Sequence, residues 1–202
     1  HFLVGCAGGM RVDCEFPAER RRWNGKLVSI HVSGVTGGHS GVEIQKQGAN
    51  ANVVLGRVLY ELKKKADFTV VSVDGGLKDN AITRSARAIL MFAPGQEDLF
   101  MDILKEQQGI IEKEYHKTDA GMSIEGFLEL SKEDAESVDG VLPMTDVCGN
   151  AVITALRTFP WGVQKMSKDM EGLVQTSLNP GILETKACLL YTSPSPRDST
   201  SS

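Results

Sequence analysis

The sequence lacks the short motifs by which most catalytic and metal sites are recognised. It has no HExxH pair, no CxxC pair, no phosphate-binding GxxxxGK[ST] loop and no GxSxG nucleophile turn. Its four histidines are scattered, and no group of His, Asp and Glu has the spacing of zinc ligands. The residues alone therefore predict no metal site within this chain.

Two further absences limit the partners of the protein. The 202 residues carry a formal net charge of −4, and no basic stripe with interleaved aromatic residues appears. No apolar run approaches the roughly 20 residues that a membrane-spanning helix needs. We therefore expect neither nucleic acid nor a membrane as a partner.

Cysteine is also sparse, with four residues and no close pair. A secreted scaffold that depends on disulfides would carry a higher density. The simplest interpretation is a set of reduced thiols in a cytoplasmic protein. The overall composition is that of an ordinary globular protein, since 41% of residues are hydrophobic and 24% are charged.

Both ends of the chain are unusual. The sequence begins with His1 rather than Met and enters an apolar run at once, so we expect further sequence to precede it. Residues 188–198 resemble a translated reading frame of a transposase adapter used in DNA sequencing libraries, and only Ser and Thr follow. Residues 186–202 are therefore predicted to be a non-native, disordered tail without a role in the fold.

Hydrophobic periodicity between these ends predicts an α+β fold. Alternating or apolar runs predict strands, and apolar residues at spacings of three and four predict helices. In chain order we expect a strand at 26–35, a helix over 51–62, strands at 68–73 and 85–93, a helix around 99–110, and a strand at 122–130. This β-α-β-β-α-β order is ferredoxin-like: a four-stranded sheet with two helices on one face. An extra helix at 146–158 and an extra strand at 172–178 follow, and no partner for that strand is evident.

The first candidate for chemistry is His39, in the glycine-rich turn Gly-Gly-His-Ser-Gly at 37–41. The turn follows the first strand of the predicted sheet. Glycine permits positive φ and close approach of the backbone to a partner, so the turn could present the imidazole to a ligand. The alternative is an ordinary exposed turn histidine, and spacing alone favours that alternative.

The second candidate is the segment 75–84, with Asn80 and Arg84 between two predicted strands. An amide offers both a donor and an acceptor, and a guanidinium offers a planar fork that matches a carboxylate. If the segment lies beside the turn that carries His39, the three side chains would suit an anionic or carbonyl ligand. The alternative is a polar hairpin with an exposed arginine.

Several longer strings resemble one family. They are VGCAGGM at 4–10, VSGVTGGHSGVEI at 32–44, GANAN at 48–52, the glycine pair and NAITR within 75–84, and EGLVQTSLN at 171–179. In this order they are similar to the bacterial aminoacyl-histidine dipeptidases, also called Xaa-His or cytosol non-specific dipeptidases. These belong to the di-zinc peptidases that include carboxypeptidase G and the aminoacylases.

The resemblance implies a two-domain enzyme, in which a catalytic domain holds two zinc ions and a lid domain is inserted into it. Residues 1–22 would be the end of the first half of the catalytic domain with the crossover, and residues 23–185 would be an incomplete lid that also forms a homodimer. The metal ligands would lie outside this chain. The resemblance therefore implies that the chain alone binds no catalytic zinc and hydrolyses nothing.

Site residues carried over from the family are His39, Asn80 and Arg84. His39 matches the imidazole that donates a hydrogen bond to the oxyanion of the tetrahedral intermediate. Asn80 matches a lid residue that reaches the dipeptide substrate, and Arg84 matches a candidate clamp for the substrate carboxylate. The family pattern has Pro and Glu where this chain has Thr83 and Ser85.

Two other interpretations stay open at the level of sequence. One is a non-catalytic ferredoxin-like module for dimerisation or ligand binding. The other keeps the enzyme but changes its substrate, as in an aminoacylase or another exopeptidase of the family. Sequence alone does not separate these from a dipeptidase.

Overall fold

A computed structural model describes residues 8–186, 189–194 and 197–198. The apolar run at the start of the sequence lies outside these residues. The first described strands are two short ones, β1 (Gly8–Gly9) and β2 (Cys14–Pro17). The ferredoxin-like unit then follows in the predicted order.

That unit contains four principal strands, two long helices and two short strands that belong to the loops. In chain order they are β3 (Lys26–Ser33), β4 (Gly38–His39), α1 (Ala51–Lys65), β5 (Phe68–Gly75), β6 (Ala81–Ile82), β7 (Ala86–Phe92), α2 (Glu97–Tyr115) and β8 (Ser123–Phe127). The principal strands lie side by side in the order β5-β7-β3-β8, and every neighbouring pair is antiparallel. The predicted α+β fold with a ferredoxin-like lid is thereby confirmed.

Helix α1 forms because its sequence supplies both a cap and an apolar face. The Asn50 side chain accepts hydrogen bonds from the backbone N–H groups of Asn52 (2.9 Å) and Val53 (3.4 Å), which the helix itself leaves unpaired. Leu55, Leu59 and Leu62 are fully buried between the helix and the sheet. Helix α2 covers the same face of the sheet, as predicted, and buries Phe100 and Ile103.

The chain after β8 was predicted least well. Its elements are α3 (Lys132–Ser137), α4 (Asp146–Thr158), β9 (Gly162–Met166), β10 (Val174–Leu178), β11 (Pro180–Thr185), β12 (Leu189–Pro194) and β13 (Arg197–Asp198). Helix α4 has the predicted bounds, but α3, β9 and β11 were not predicted. The expectation that the strand at 172–178 has no partner is wrong, because β10 pairs antiparallel with β9.

Regular structure also appears in the segment expected to be disordered. Strand β12 pairs with β11 on one side and with β2 on the other. The physical reason is an open edge: a strand with unpaired N–H and C=O groups accepts another segment through main-chain hydrogen bonds, whatever that segment's side chains are. The non-native origin of the tail stays a prediction.

The two edges of the ferredoxin-like sheet differ. At β5 the chain itself occupies the outer main-chain groups: Met144 N donates to Val70 O at 2.7 Å, and the Thr185 hydroxyl donates to Val73 O at 2.8 Å. Strand β8 pairs with β3, and among the described residues no strand pairs with its other side.

None of the helices in the described part of the chain has the length and apolar character that crossing a bilayer requires.

Candidate functional site

Two loops meet beside the sheet and bring the predicted site residues together. Strand β4 pairs antiparallel with β6, with Gly38 opposite Ile82 and His39 opposite Ala81. One residue further, Ser40 N donates to the carbonyl of Asn80 at 3.0 Å. The structure therefore places the turn 37–41 directly against the segment that carries Asn80 and Arg84, an arrangement that the sequence analysis stated only as a condition.

The two glycines before His39 are required by this packing. Gly37 has a φ of +69° and Gly38 a φ of +137°, conformations that residues with a Cβ rarely adopt. A Cβ at Gly37 would lie 2.4 Å from Cγ of Arg84, and one at Gly38 would lie 2.3 Å from Oε2 of Glu43. The glycine pair thus lets the backbone pass between an arginine and a glutamate on its way to His39.

The imidazole of His39 is exposed and held by one of its two nitrogens. The backbone N–H of Gly41 donates to Nδ1 at 3.0 Å. An imidazole nitrogen that accepts a hydrogen bond carries no proton, so the neutral ring has its proton on Nε2. This hydrogen-bond geometry assigns His39 as a hydrogen-bond donor through Nε2.

Glu43 is a site residue that the sequence analysis missed. Its Oε2 accepts the backbone N–H of His39 at 2.9 Å, and its Oε1 accepts from Nζ of Lys46 at 2.6 Å. The Lys46 side chain, followed by the His39 N–H, holds the pKa of Glu43 below its usual range. A carboxylate four residues after the histidine, with a lysine three residues further on, was the available signal.

Asn80 and Arg84 are both exposed. The backbone carbonyl of Asn80 and the side chain of Arg84 each form a hydrogen bond with the segment around His39. The Arg84 Nε donates to the carbonyl of Val35 at 3.4 Å, just before the turn that carries His39. No carboxylate of residues 8–186 forms an ion pair with Arg84. Its guanidinium can therefore offer hydrogen bonds to an incoming anion.

Buried amides fix the backbone on both sides of Asn80. The fully buried Asn179 donates through Nδ2 to the carbonyls of Asp79 (3.2 Å) and Ala81 (2.9 Å). Its Oδ1 accepts from Nδ2 of Asn50, the residue that caps α1, at 3.1 Å. The GANAN and SLN strings of the sequence thus meet in space, although neither was predicted to support the site.

Thr83 explains one departure from the family pattern. Its side chain is buried, and its hydroxyl lies 3.2 Å from Nδ2 of Asn52 and 3.0 Å from the carbonyl of Gly181. Its own carbonyl accepts the N–H of Ala51 at 3.0 Å. A proline at this position would offer no hydroxyl, so Thr83 replaces a fixed φ with hydrogen bonds to two neighbouring elements.

The described residues do not fit a metal ion. Within them, no group of three or more His, Cys, Asp or Glu side chains is close enough to share one. His39 has its Nδ1 engaged by Gly41, and the nearby Glu43 is engaged by Lys46. The chemistry that these described side chains offer is therefore hydrogen bonding and charge.

Comparison with known proteins gives three concordant results. The family model of a peptidase dimerisation domain matches residues 25–119. The cytosol non-specific dipeptidase of Escherichia coli (strain K12) is 28% identical over 182 residues, which cover 89% of this chain and 36% of that protein. The crystal structure of an aminoacylhistidine dipeptidase from Vibrio alginolyticus superposes with a TM-score of 0.88 at 25% identity, over 96% of this chain and 39% of the other.

The chain is similar to these peptidases over most of its own length. It spans a little more than one third of the length of the two dipeptidases, 36% and 39% respectively. The residues that the peptidase dimerisation model matches run from just before β3 to the turn after α2, and they include the loops that carry His39, Asn80 and Arg84.

Proposed function

We propose that this chain is the lid domain of a zinc-dependent dipeptidase that hydrolyses Xaa-His and other short peptides in the cytoplasm. The names of the two relatives and the family resemblance support the activity. The two zinc ions of the complete enzyme would be held by its catalytic domain, since the described residues do not fit a metal. This chain alone is therefore expected to bind no catalytic zinc and to be inactive.

The role that we propose for the lid is stabilisation of the oxyanion. When the scissile carbonyl is attacked, negative charge develops on its oxygen, and a preorganised donor aimed at that oxygen lowers the barrier. The hydrogen bond from Gly41 N to His39 Nδ1 supports this role, because it leaves the proton of the neutral ring on Nε2. His39 can then donate without changing its protonation state.

Asn80 and Arg84 are proposed to bind the substrate. Both are exposed next to His39, and a dipeptide presents a carbonyl and a C-terminal carboxylate within a few ångströms of the scissile bond. The amide of Asn80 would hydrogen-bond to the substrate backbone. The guanidinium of Arg84 would pair with the carboxylate, in the bidentate geometry that arginine favours.

The decisive experiment uses the complete enzyme that contains this chain. We expect His39→Ala to lower kcat by about 10²–10³-fold, the usual cost of removing one oxyanion donor, with KM little changed. His39→Gln retains a donor and should recover part of the loss. His116→Ala removes another exposed lid histidine and serves as the matched control.

The outcomes separate the remaining interpretations. A kcat for His39→Ala within about threefold of the unmodified enzyme would contradict the oxyanion role, because a lost donor costs far more. Activity of the complete enzyme on N-acylated amino acids rather than on Xaa-His peptides would favour the aminoacylase alternative. Absence of any hydrolysis by the complete protein would favour the non-catalytic binding module.

We also propose that the lid forms a homodimer, in keeping with the description of the matched domain. The β5 edge is occupied by residues such as Met144 and Thr185 of the same chain, whereas β8 has an open side among the described residues. The second copy is therefore expected at β8. Light scattering across a concentration series should give the mass of a dimer, and a monomer at every concentration would contradict the proposal.

A further inference from the structure

A single buried carboxylate joins the two ends of the segment that carries His39. We call residues 36–49 the His39 loop. Asp119, with 4% of its surface exposed, accepts the backbone N–H of Thr36 through Oδ1 at 2.9 Å and that of Ala49 through Oδ2 at 2.7 Å. The loop is thus closed by one side chain that lies 70 residues or more away in sequence.

Asp119 is itself rigidly held. Its N–H donates to the carbonyl of Tyr115 at the end of α2 (2.8 Å), and its carbonyl accepts the N–H of Met122 at the start of β8 (2.9 Å). Next to it, the carbonyl of Thr118 accepts the hydroxyl of Thr36 at 3.0 Å. Both ends of the His39 loop are therefore hydrogen-bonded to the turn between α2 and β8.

The two hydrogen bonds that Asp119 accepts from Thr36 and Ala49, which we call the Asp119 clamp, require a carboxylate. Two backbone N–H groups, from Thr36 and Ala49, point at one side chain, and a carboxylate accepts both, whereas a carboxamide has one oxygen and would turn its own N–H groups toward the second donor. Between its ends the loop is held by its own hydrogen bonds, such as those from His39 N to Glu43 Oε2 and from Gly41 N to His39 Nδ1, and by the pairing of β4 with β6. The two Asp119 contacts fix the points where the chain enters and leaves this arrangement.

We propose that Asp119 is a positioning residue for His39. By fixing both ends of the His39 loop, it sets the distance between Gly41 N and His39 Nδ1 and thereby keeps the proton of the neutral imidazole on Nε2. This inference rests on the role proposed for His39, but it concerns the geometry of the loop and can be measured without catalysis.

The test is ¹⁵N NMR of the side chains and amides of this chain with Asp119→Asn. We expect the His39 nitrogens to change from one dominant tautomer to a mixture, and the Gly41 amide to exchange with solvent about tenfold faster, as loss of its hydrogen bond to His39 Nδ1 implies. Amides of α1, β5 and β7 should be unchanged.

Asp134→Asn is the matched control, because Asp134 is also a buried carboxylate with two partners. It contacts Nε2 of His31 at 2.9 Å and Nη1 of Arg87 at 3.1 Å, and none of its described contacts reaches the His39 loop. The control should move the His31 resonances and leave those of His39 in place. Asp119→Asn should do the reverse.

Folded Asp119→Asn with unchanged His39 nitrogens would overturn the inference. If that variant does not fold, hydrogen exchange of the unmodified chain decides: the Thr36 and Ala49 amides should both be protected at least about tenfold relative to exposed loop amides, and unprotected amides would overturn the inference. A normal kcat for His39→Ala in the complete enzyme would instead contradict the proposed function and leave this loop geometry intact.

Discussion

The helix–sheet core and the site loops of this domain are stabilised by different means. Between α1 and the sheet, side chains such as Leu55, Leu59 and Val70 are fully buried and interact by apolar packing. The loops also depend on buried polar side chains: Asp119 and Asn179 each bind two backbone groups. Apolar packing is non-directional, whereas each loop contact has a fixed donor and acceptor.

The difference has a functional consequence. Removing apolar volume from the core weakens every element that packs on it and lowers global stability. Removing a buried polar clamp leaves specific backbone groups without a partner and changes the local geometry of the loop that they belong to. The loops of a site need buried polar contacts that fix their local geometry, because hydrogen-bond donors must be placed to within fractions of an ångström.

The largest expected effect lies in the core. Leu59→Ala, at a fully buried position of α1, should lower the free energy of unfolding by about 2–5 kcal/mol, because it removes apolar volume that the surroundings refill only partly. Leu77→Ala is the matched control, since Leu77 is 95% exposed, and should change stability by less than about 0.5 kcal/mol. Urea unfolding followed by circular dichroism measures both. Equal losses at the two positions would remove the distinction between core and surface on which the comparison depends.

An intermediate effect is expected at the loop clamp beside Asn80. Asn179→Ala removes the donor to the carbonyls of Asp79 and Ala81 and one of the two acceptors of Asn50 Nδ2, and should cost about 1–3 kcal/mol. The amide resonances around residue 80 should shift more than those of β3 and β7. Asn150→Ala, at an exposed position of α4, is the control and should leave both stability and these resonances nearly unchanged.

A result in which Asn179→Ala costs nothing, or disturbs the core strands as much as the loop, would contradict the separation of the two regions. The separation also predicts that Leu59→Ala and Asn179→Ala have nearly additive effects in the double variant, because the two side chains share no described contact.

The smallest effect is expected at the exposed ion pair between α1 and α2. Arg57 Nη2 and Glu114 Oε2 are 2.7 Å apart, and the Arg57 side chain holds the pKa of Glu114 below its usual range through this hydrogen bond. Because 46% of the Glu114 side chain is exposed, Glu114→Gln should cost only about 0.2–1 kcal/mol at pH 7, and less at high salt.

The pH dependence of this pair has a definite sign. A carboxyl group whose pKa is lower in the folded state stabilises the fold fully above its unfolded pKa, near 4.5, and that contribution disappears as the pH falls through the folded pKa. The difference in unfolding free energy between the unmodified chain and Glu114→Gln should therefore vanish in acid. Glu112→Gln, at another exposed position of α2, is the control, and a difference that grows in acid would show that Arg57 is not the cause.

The ferredoxin-like unit could be predicted because its elements carry strong periodic signals. The apolar spacing of α1 and α2 and the apolar runs of β5 and β7 each reflect burial on one face of the same sheet. The later elements gave weaker signals. Strand β9 (GVQKM) is short and largely exposed, and α3 has only six residues, although Ser131 caps it by accepting the N–H of Asp134 at 3.1 Å.

The site was predictable only in part for the same reason. His39, Asn80 and Arg84 stand out as residue types within glycine-rich turns, and their strings resemble one family. Asp119 and Asn179 were not predicted, because an acidic or amide residue in a loop is ordinary until its partner is known. Both act through contacts with the backbone of another segment, whereas Glu43 contacts the N–H of His39 in its own loop.

The sequence by itself determined the order of the strands and helices of the ferredoxin-like unit and the identity of the donor groups in the two loops. These properties depend on neighbours within a few residues, where spacing and side-chain type are sufficient. Only the tertiary structure decided that β4 pairs with β6, that Asp119 closes the His39 loop and that the proton of neutral His39 lies on Nε2. The loop pairing and the Asp119 clamp join segments that are distant in the chain, and the tautomer depends on the loop conformation that such contacts fix.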